Sequence, residues 1–275
     1  MSNKMFGMRG HDIGDTFEEM LKNATLHGIS KLQFAMAKTV SEYDFNEIGY
    51  NADVSREIKA KLEEKGLSVS VMGCYINPVE RDEAALERNL TLFENFIRYA
   101  KDFNAGVIGT ETGHYIDLET THSEENYQYF IKNLRRLVAV AEENGVTIGI
   151  EPVWAFTVYS PEVMARVLDD INSPNLAVIF DLSNITTTVE DCKNQRAVMD
   201  KAFDLLGDKI RVIHLKDFKF EGGKKAFAPA ATGDYDVKYL FSKLASLKNK
   251  PDIILDETPL AEYEASVKNL AGIAE

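Results

Sequence analysis

Apolar residues in this chain fall into two alternating kinds of run. Short runs rich in Val and Ile lie at residues 67–71, 146–150, 177–180, 210–213 and 253–255. Continuous rather than alternating hydrophobicity marks strands covered on both faces, as in a parallel sheet. Between these runs lie longer stretches with apolar residues three or four apart. Residues 82–103 place Leu86, Leu90, Phe93, Ile97 and Ala100 on one stripe, and residues 123–144 do the same with Tyr127, Phe130, Leu134, Leu137 and Val138. That spacing predicts amphipathic helices.

The punctuation between runs agrees with this reading. Gly28, Gly66, Gly106 and Gly145 each close a polar, helix-like stretch just before an apolar run, which predicts left-handed helix ends. Asp15 before Thr16-Phe17-Glu18, and Ser160 before Pro161-Glu162, read as helix starts, the second with a first-turn proline. In all, eight strand-helix units are predicted, with strands starting near residues 4, 30, 67, 106, 146, 176, 210 and 252. Over 275 residues that is the size and pattern of an α/β (β/α)8 TIM barrel. A doubly wound open sheet would carry a glycine-rich phosphate loop after its first strand. Here that turn reads Met8-Arg9-Gly10-His11-Asp12-Ile13-Gly14, with neither GxGxxG nor a P-loop lysine. No linker divides the chain, so a single domain over 1–275 is expected.

Composition narrows the function classes. Hydrophobic residues make up 45% and charged residues 27% of the chain, the balance of a soluble globular protein. Cys74 and Cys192 form no CxxC pair and read as idle thiols of a reducing compartment. Met1-Ser2-Asn3-Lys4 does not open a secretory signal, and no run of about 18 apolar residues exists to cross a membrane; a cytoplasmic location is expected. The formal net charge of −13 argues against nucleic acid, which requires a concentrated basic surface. A small-molecule substrate and a homo-oligomer are both compatible with it.

In a (β/α)8 barrel the C-terminal strand ends open onto one functional face. The fifth strand ends Ile150-Glu151, the sixth Phe180-Asp181, the seventh reads Ile213-His214-Leu215-Lys216-Asp217, and the eighth Leu255-Asp256-Glu257. Taken singly, each is an ordinary loop residue, helix cap or core histidine. Four successive strands delivering Glu151, Asp181, His214 and Glu257 point instead to a metal site. Clustered carboxylates repel one another unless a cation neutralises them or some stay protonated. Three oxygen donors and one nitrogen suit one divalent Mn, Mg, Co or Zn ion.

The runs Gly149-Ile150-Glu151-Pro152, Phe180-Asp181-Leu182-Ser183-Asn184 and Ile213-His214-Leu215-Lys216-Asp217 resemble the xylose-isomerase-like barrel superfamily of sugar-phosphate isomerases and epimerases. The likeness spans nearly the whole chain. It implies a metal held by Glu151, Asp181, His214 and Glu257, with Glu151 and Glu257 also serving as the catalytic acid/base pair. The implied activity is that of an isomerase or ketose 3-epimerase. The cation polarises a carbonyl and a neighbouring hydroxyl, and a carboxylate removes the proton between them to give an enediolate. Many members carry a histidine where this chain has Asn184, which the resemblance places at the substrate. The extra histidines of endonuclease IV, a distant relative, have no counterparts here; Asp217-Phe218-Lys219 stands where an Asp-x-His pair belongs. An inosose-type dehydratase sharing the same enolate, and a non-catalytic sugar-binding barrel, are the alternatives.

The same face offers further candidates. His11 reads either as a ligand to a sugar hydroxyl or as a turn residue. Trp154, on the loop after Glu151, reads as a stacking wall for a sugar or as an anchor. Lys216 and Lys219 are candidate contacts for a substrate phosphate, though Lys216 could equally pair with Asp217. Gln33, Asn77, Glu111 and His114 follow strands two to four and read as cavity or loop residues, with the loop reading favoured for the last two. His27 and His122 fall on helical stretches and read as structural. The glycine-rich segment 221–234 reads as a mobile loop beside the pocket.

Overall fold

The buried runs close on one another as eight parallel strands. The computed structural model describes residues 5–274; the expected start of the first strand near residue 4 lies outside them. The barrel strands are β1 Phe6–Arg9, β2 Lys31–Phe34, β3 Ser68–Gly73, β4 Val107–Thr110, β5 Ile148–Ile150, β6 Leu176–Phe180, β7 Ile210–Leu215 and β10 Asp252–Leu255. Their circular order is β1-β10-β7-β6-β5-β4-β3-β2. Helices alternate with them, the longest being Glu83–Asp102 and Glu124–Asn144. This is a TIM barrel, as the alternation of the two periods predicts.

Each barrel strand is buried on both sides, and its two sides face different cores. Phe6, Leu32, Phe34, Ile108, Ile148, Phe180 and Leu255 belong to the large core shared with the helices. Val71, Val107, Ala177, Ile179, Val212 and Ile254 form a second, small cluster along the axis. Successive strand side chains alternate between the two. Glycine makes room at the axis: a Cβ on Gly149 would lie 3.0 Å from Ile179 and Val107. At the opposite end of the axis from the site described below, Lys31 pairs with Asp252, which also accepts from Ser70 Oγ at 2.7 Å.

Helix ends follow the expected chemistry with two adjustments. Gly28, Gly66 and Gly145 are left-handed, with φ near 67, 67 and 66°. At the fourth junction Asn104 takes that conformation, φ 50°, and Gly106 serves another need: a Cβ there would lie 2.7 Å from the carbonyl oxygen of Ser70. The first long helix is capped by Thr16, whose side chain accepts from Glu19 N at 3.2 Å, rather than by Asp15. Ser160 caps as predicted, with Pro161 in the first turn.

The segment after β7 departs most from expectation. It is not an open loop but an antiparallel hairpin of β8 Asp217–Glu221 and β9 Lys224–Ala228. Gly222 and Gly223, at φ 57 and 80°, supply the two left-handed residues that a two-residue hairpin turn demands. Composition alone suggested mobility; the turn chemistry of paired glycines was the missed signal.

Candidate metal centre and cavity

Counting onward by twos from the axial cluster names the residues that face the barrel mouth. Val71 and Gly73 lead to Tyr75, Val107 and Gly109 to Glu111, and Gly149 to Glu151. On the far side Ile179 leads to Asp181, Val212 to His214 and Lys216, and Ile254 to Asp256. All but Asp181 line one cavity of about 250 Å³, with Arg9, His11, Gln33, Lys38 and Glu257 completing its wall.

Glu151, Asp181 and His214 are buried and converge: one donor atom from each lies within 4.8 Å of the others. Local structure aims them. Asp181 caps the turn Leu182–Ile185, its Oδ1 accepting from Ser183 N at 2.8 Å and Asn184 N at 3.4 Å, so its Oδ2 points inward. Asn184 also donates from Nδ2 to Glu151 Oε1 at 2.7 Å. His214 Nδ1 lies 3.1 Å from Glu151 Oε2, yet without hydrogen-bond alignment. Asp181 Oδ2 and both ring nitrogens of His214 are thus buried with no hydrogen-bond partner among the described residues. Buried polar atoms left unmatched by protein are costly. Two carboxylates and an imidazole aimed at one point fit a divalent cation, which would satisfy all three.

Glu257 is placed differently from the other three expected ligands. It sits one residue beyond the inward position, with φ 52° and a side chain 40% exposed, 3.2 Å from Arg9 Nη1. The inward carboxylate of the last strand is Asp256, 4% exposed, held 2.6 Å from Arg9 Nη1 and 3.2 Å from Lys216 Nζ. Lys216 also reaches Asp181 Oδ2 at 3.4 Å. It therefore points into the barrel rather than pairing with Asp217. Asp217 faces the other way, accepting backbone N–H groups of Phe218, Thr232, Gly233 and Tyr235 at 2.7 to 3.1 Å. It ties the hairpin to the segment returning from it.

The remaining candidates separate cleanly. His11 and Gln33 reach the cavity, and so does Glu111, for which the loop reading was favoured. Trp154, 43% exposed, instead lines a separate groove with Tyr159, Ile185 and Val198. Asn77 braces a loop through the His114 carbonyl, and His114 stacks on Phe156. Lys219 is exposed on the hairpin. His27 pairs with Glu264 at 3.1 Å and His122 stacks on Tyr159. Arg9, Lys38, Tyr75 and Asp256 escaped the sequence reading, although strand parity singles out Tyr75 and Asp256.

Charge inside the cavity is unevenly matched. Burial pushes the Asp181 carboxyl up to about 6, against the pull of Lys216. Burial and the Glu151 charge push Glu111 up to about 7. Burial opposes charge on His214, but Glu151 and its acidic neighbours raise its pKa all the same. Asp256 goes down: burial works against ionisation there, and Lys216, His214 and Arg9 together outweigh it.

Residues 27–272 match the family described as xylose isomerase-like TIM barrel. The chain belongs to that family. Among solved structures, a D-tagatose 3-epimerase-like protein superposes with a TM-score of 0.77 at 15% identity, covering 98% of each chain. The IOLI protein, solved with a bound zinc atom, does so with a TM-score of 0.75 at 14% identity, again over 98% of each. An uncharacterized protein of Methanocaldococcus jannaschii is 24% identical over 115 residues, 41% of this chain. The aligned region spans only 39% of that relative's length. Membership of the xylose isomerase-like family rests on the sequence match, and the structural neighbours show the shared fold. Among the described residues no helix is long and apolar enough to cross a membrane.

Proposed function

We propose that this family member is a divalent-metal-dependent isomerase or epimerase of a small carbohydrate, acting by proton abstraction beside a carbonyl. The observation that carries the reading is the convergence of Glu151, Asp181 and His214 beside a small polar cavity, with Asp181 Oδ2 and the His214 ring nitrogens unmatched among the described residues. These three would hold the cation. When bound, it supplies Lewis-acid polarisation of a carbonyl oxygen, which makes the adjacent C–H acidic. Asn184 fixes the Glu151 carboxylate through its 2.7 Å hydrogen bond. His11, Gln33 and Tyr75 offer hydrogen-bonding groups for hydroxyls along the β1–β3 wall.

Charge matching favours an uncharged sugar over its phosphate ester. Arg9 already faces Asp12, Asp256 and Glu257, and Lys216 faces Asp181 and Asp256. A phosphate would have to displace carboxylates from both, or rely on Lys38 at the rim. The test is an NMR screen for solvent-deuterium incorporation next to the carbonyl. Uncharged aldoses and ketoses and their phosphates would be compared, with added Mn²⁺ and with chelator. Metal-dependent exchange on an uncharged sugar is expected. Exchange that persists in metal-stripped protein, or its absence from every sugar tested, overturns the reading.

A further inference from the structure

Five carboxylates face or border the metal centre, and four of them are engaged. Glu151 has one oxygen on Asn184 and the other 3.1 Å from His214. Asp181 caps a turn and approaches Lys216. Asp256 is clamped between Arg9 and Lys216, and Glu257 leans on Arg9. Glu111 is the exception. Its side chain makes no hydrogen bond or ion pair among the described residues, yet it lines the cavity, just past the end of β4, the strand paired with the one that leads to Glu151. A carboxylate that must accept and return a proton needs freedom from cations that would hold it ionised, and from a ligand role that would occupy its lone pairs.

Resting on the activity proposed above, we infer that Glu111 is the single proton-transfer base and that the reaction is an aldose–ketose isomerisation rather than an epimerisation. Inversion at one carbon requires a second group on the opposite face of the planar intermediate. Across the barrel from β4 stands β10, whose inward Asp256 is held by two cations. A lone base on one face instead moves a proton between adjacent carbons. The C–H bond of the carbinol carbon breaks and its proton passes to a Glu111 oxygen. The freed pair becomes the C=C bond of an enediolate as the carbonyl pair moves onto its oxygen. Glu111 then protonates the former carbonyl carbon. The hydroxyl proton passes from one substrate oxygen to the other, and the new carbonyl forms.

The test uses full-length protein loaded with Mn²⁺ and any sugar that the wild type labels in D₂O. Glu111→Gln should lower label incorporation by about 10³-fold, within the usual range for a general base. Its Mn²⁺ affinity by calorimetry and its melting temperature should stay at wild-type values. Glu111→Asp should recover part of the exchange. Product analysis should find an aldose–ketose pair, with some label-free product from proton carried between the two carbons. Exchange in Glu111→Gln at the wild-type rate, or an epimeric product, overturns the inference while leaving the metal-dependent enolisation intact. No exchange in the wild type itself would instead sink the parent reading. Loss of Mn²⁺ affinity in Glu111→Gln would make Glu111 a ligand and also overturn the inference.

Discussion

Lys216 Nζ lies 3.2 Å from Asp256 Oδ2 inside the barrel mouth, with Arg9 Nη1 2.6 Å from the other carboxylate oxygen. Among the described residues Asp256 therefore pairs with two cations, whereas its neighbour Glu257 pairs with one and is 40% exposed. Removing one partner of a buried ion pair leaves a charge without compensation and costs about 3–5 kcal/mol. Asp256→Ala should destabilise the metal-free protein by about 3 kcal/mol, the low end, because Lys216 and Arg9 keep Asp181 and Asp12. Glu257→Ala should stay within about 0.5 kcal/mol, as surface changes do. Urea unfolding of the two variants checks this; equal losses would refute the asymmetry.

Asn184 is where a side chain acts on the candidate metal site through another. Its amide fixes one oxygen of Glu151 and its backbone N–H helps to fix Asp181. Groups that orient ligands in this way typically contribute 10–100-fold in metal affinity. Asn184→Ala should weaken Mn²⁺ binding by about 10-fold without unfolding the barrel, since the backbone N–H remains. Titration calorimetry reads the change. Affinity equal to wild type would show that Glu151 holds its orientation unaided.

The barrel was legible because short Val- and Ile-rich runs alternate with stretches of helical period along the chain, and the candidate site because barrel strands deliver chemistry at their ends. Glu151, Asp181 and His214 could be found that way, each continuing the parity of its strand. Glu257 could not be separated from Asp256 by listing strand-end acids. Ile254 packs on the axis, so parity selects position 256, but only once the inward set is known. The hairpin was hidden for a different reason. Lys219, Phe220, Lys224 and Lys225 carry no two-sided apolar run, because the hairpin lies outside the barrel and buries only part of its surface. Trp154 is the lone tryptophan, but it lines the groove shared with Tyr159 and not the cavity at the barrel mouth.

Lys225 pins that hairpin across the loop after β6. Its ammonium donates to the carbonyls of Ser183 and Thr186, the latter at 2.9 Å, and sits over Phe218. Burial pushes its pKa down to about 8, whereas an unfolded lysine keeps its proton to about 10.4. Between those values the unfolded chain binds more protons, so stability contributed at this position rises with pH. ¹³C NMR of lysine-labelled protein should show one Cε resonance titrating near pH 8 and absent from Lys225→Met. Wild-type stability relative to that variant should increase from pH 8 to 10. A Lys225 titration with the bulk of the lysines would remove the half-buried latch.

Asp217 belongs to the same strand end as His214 and Lys216 but works on the backbone. Its two oxygens satisfy the N–H groups of Phe218, Thr232, Gly233 and Tyr235. A Cβ at position 233 would collide with both this carboxylate and the Phe218 carbonyl, which explains the glycine. Each buried N–H left without a partner costs about 1–3 kcal/mol, offset where water can enter. Asp217→Ala should therefore lower stability by about 3 kcal/mol or more. Asp217→Asn, whose amide oxygen still accepts, should lose less. Hydrogen exchange should locate the loss in residues 217–235 while β1 to β6 stay protected, because the hairpin packs outside the closed sheet. Uniform loss of protection around the barrel would show instead that this carboxylate supports the strands themselves.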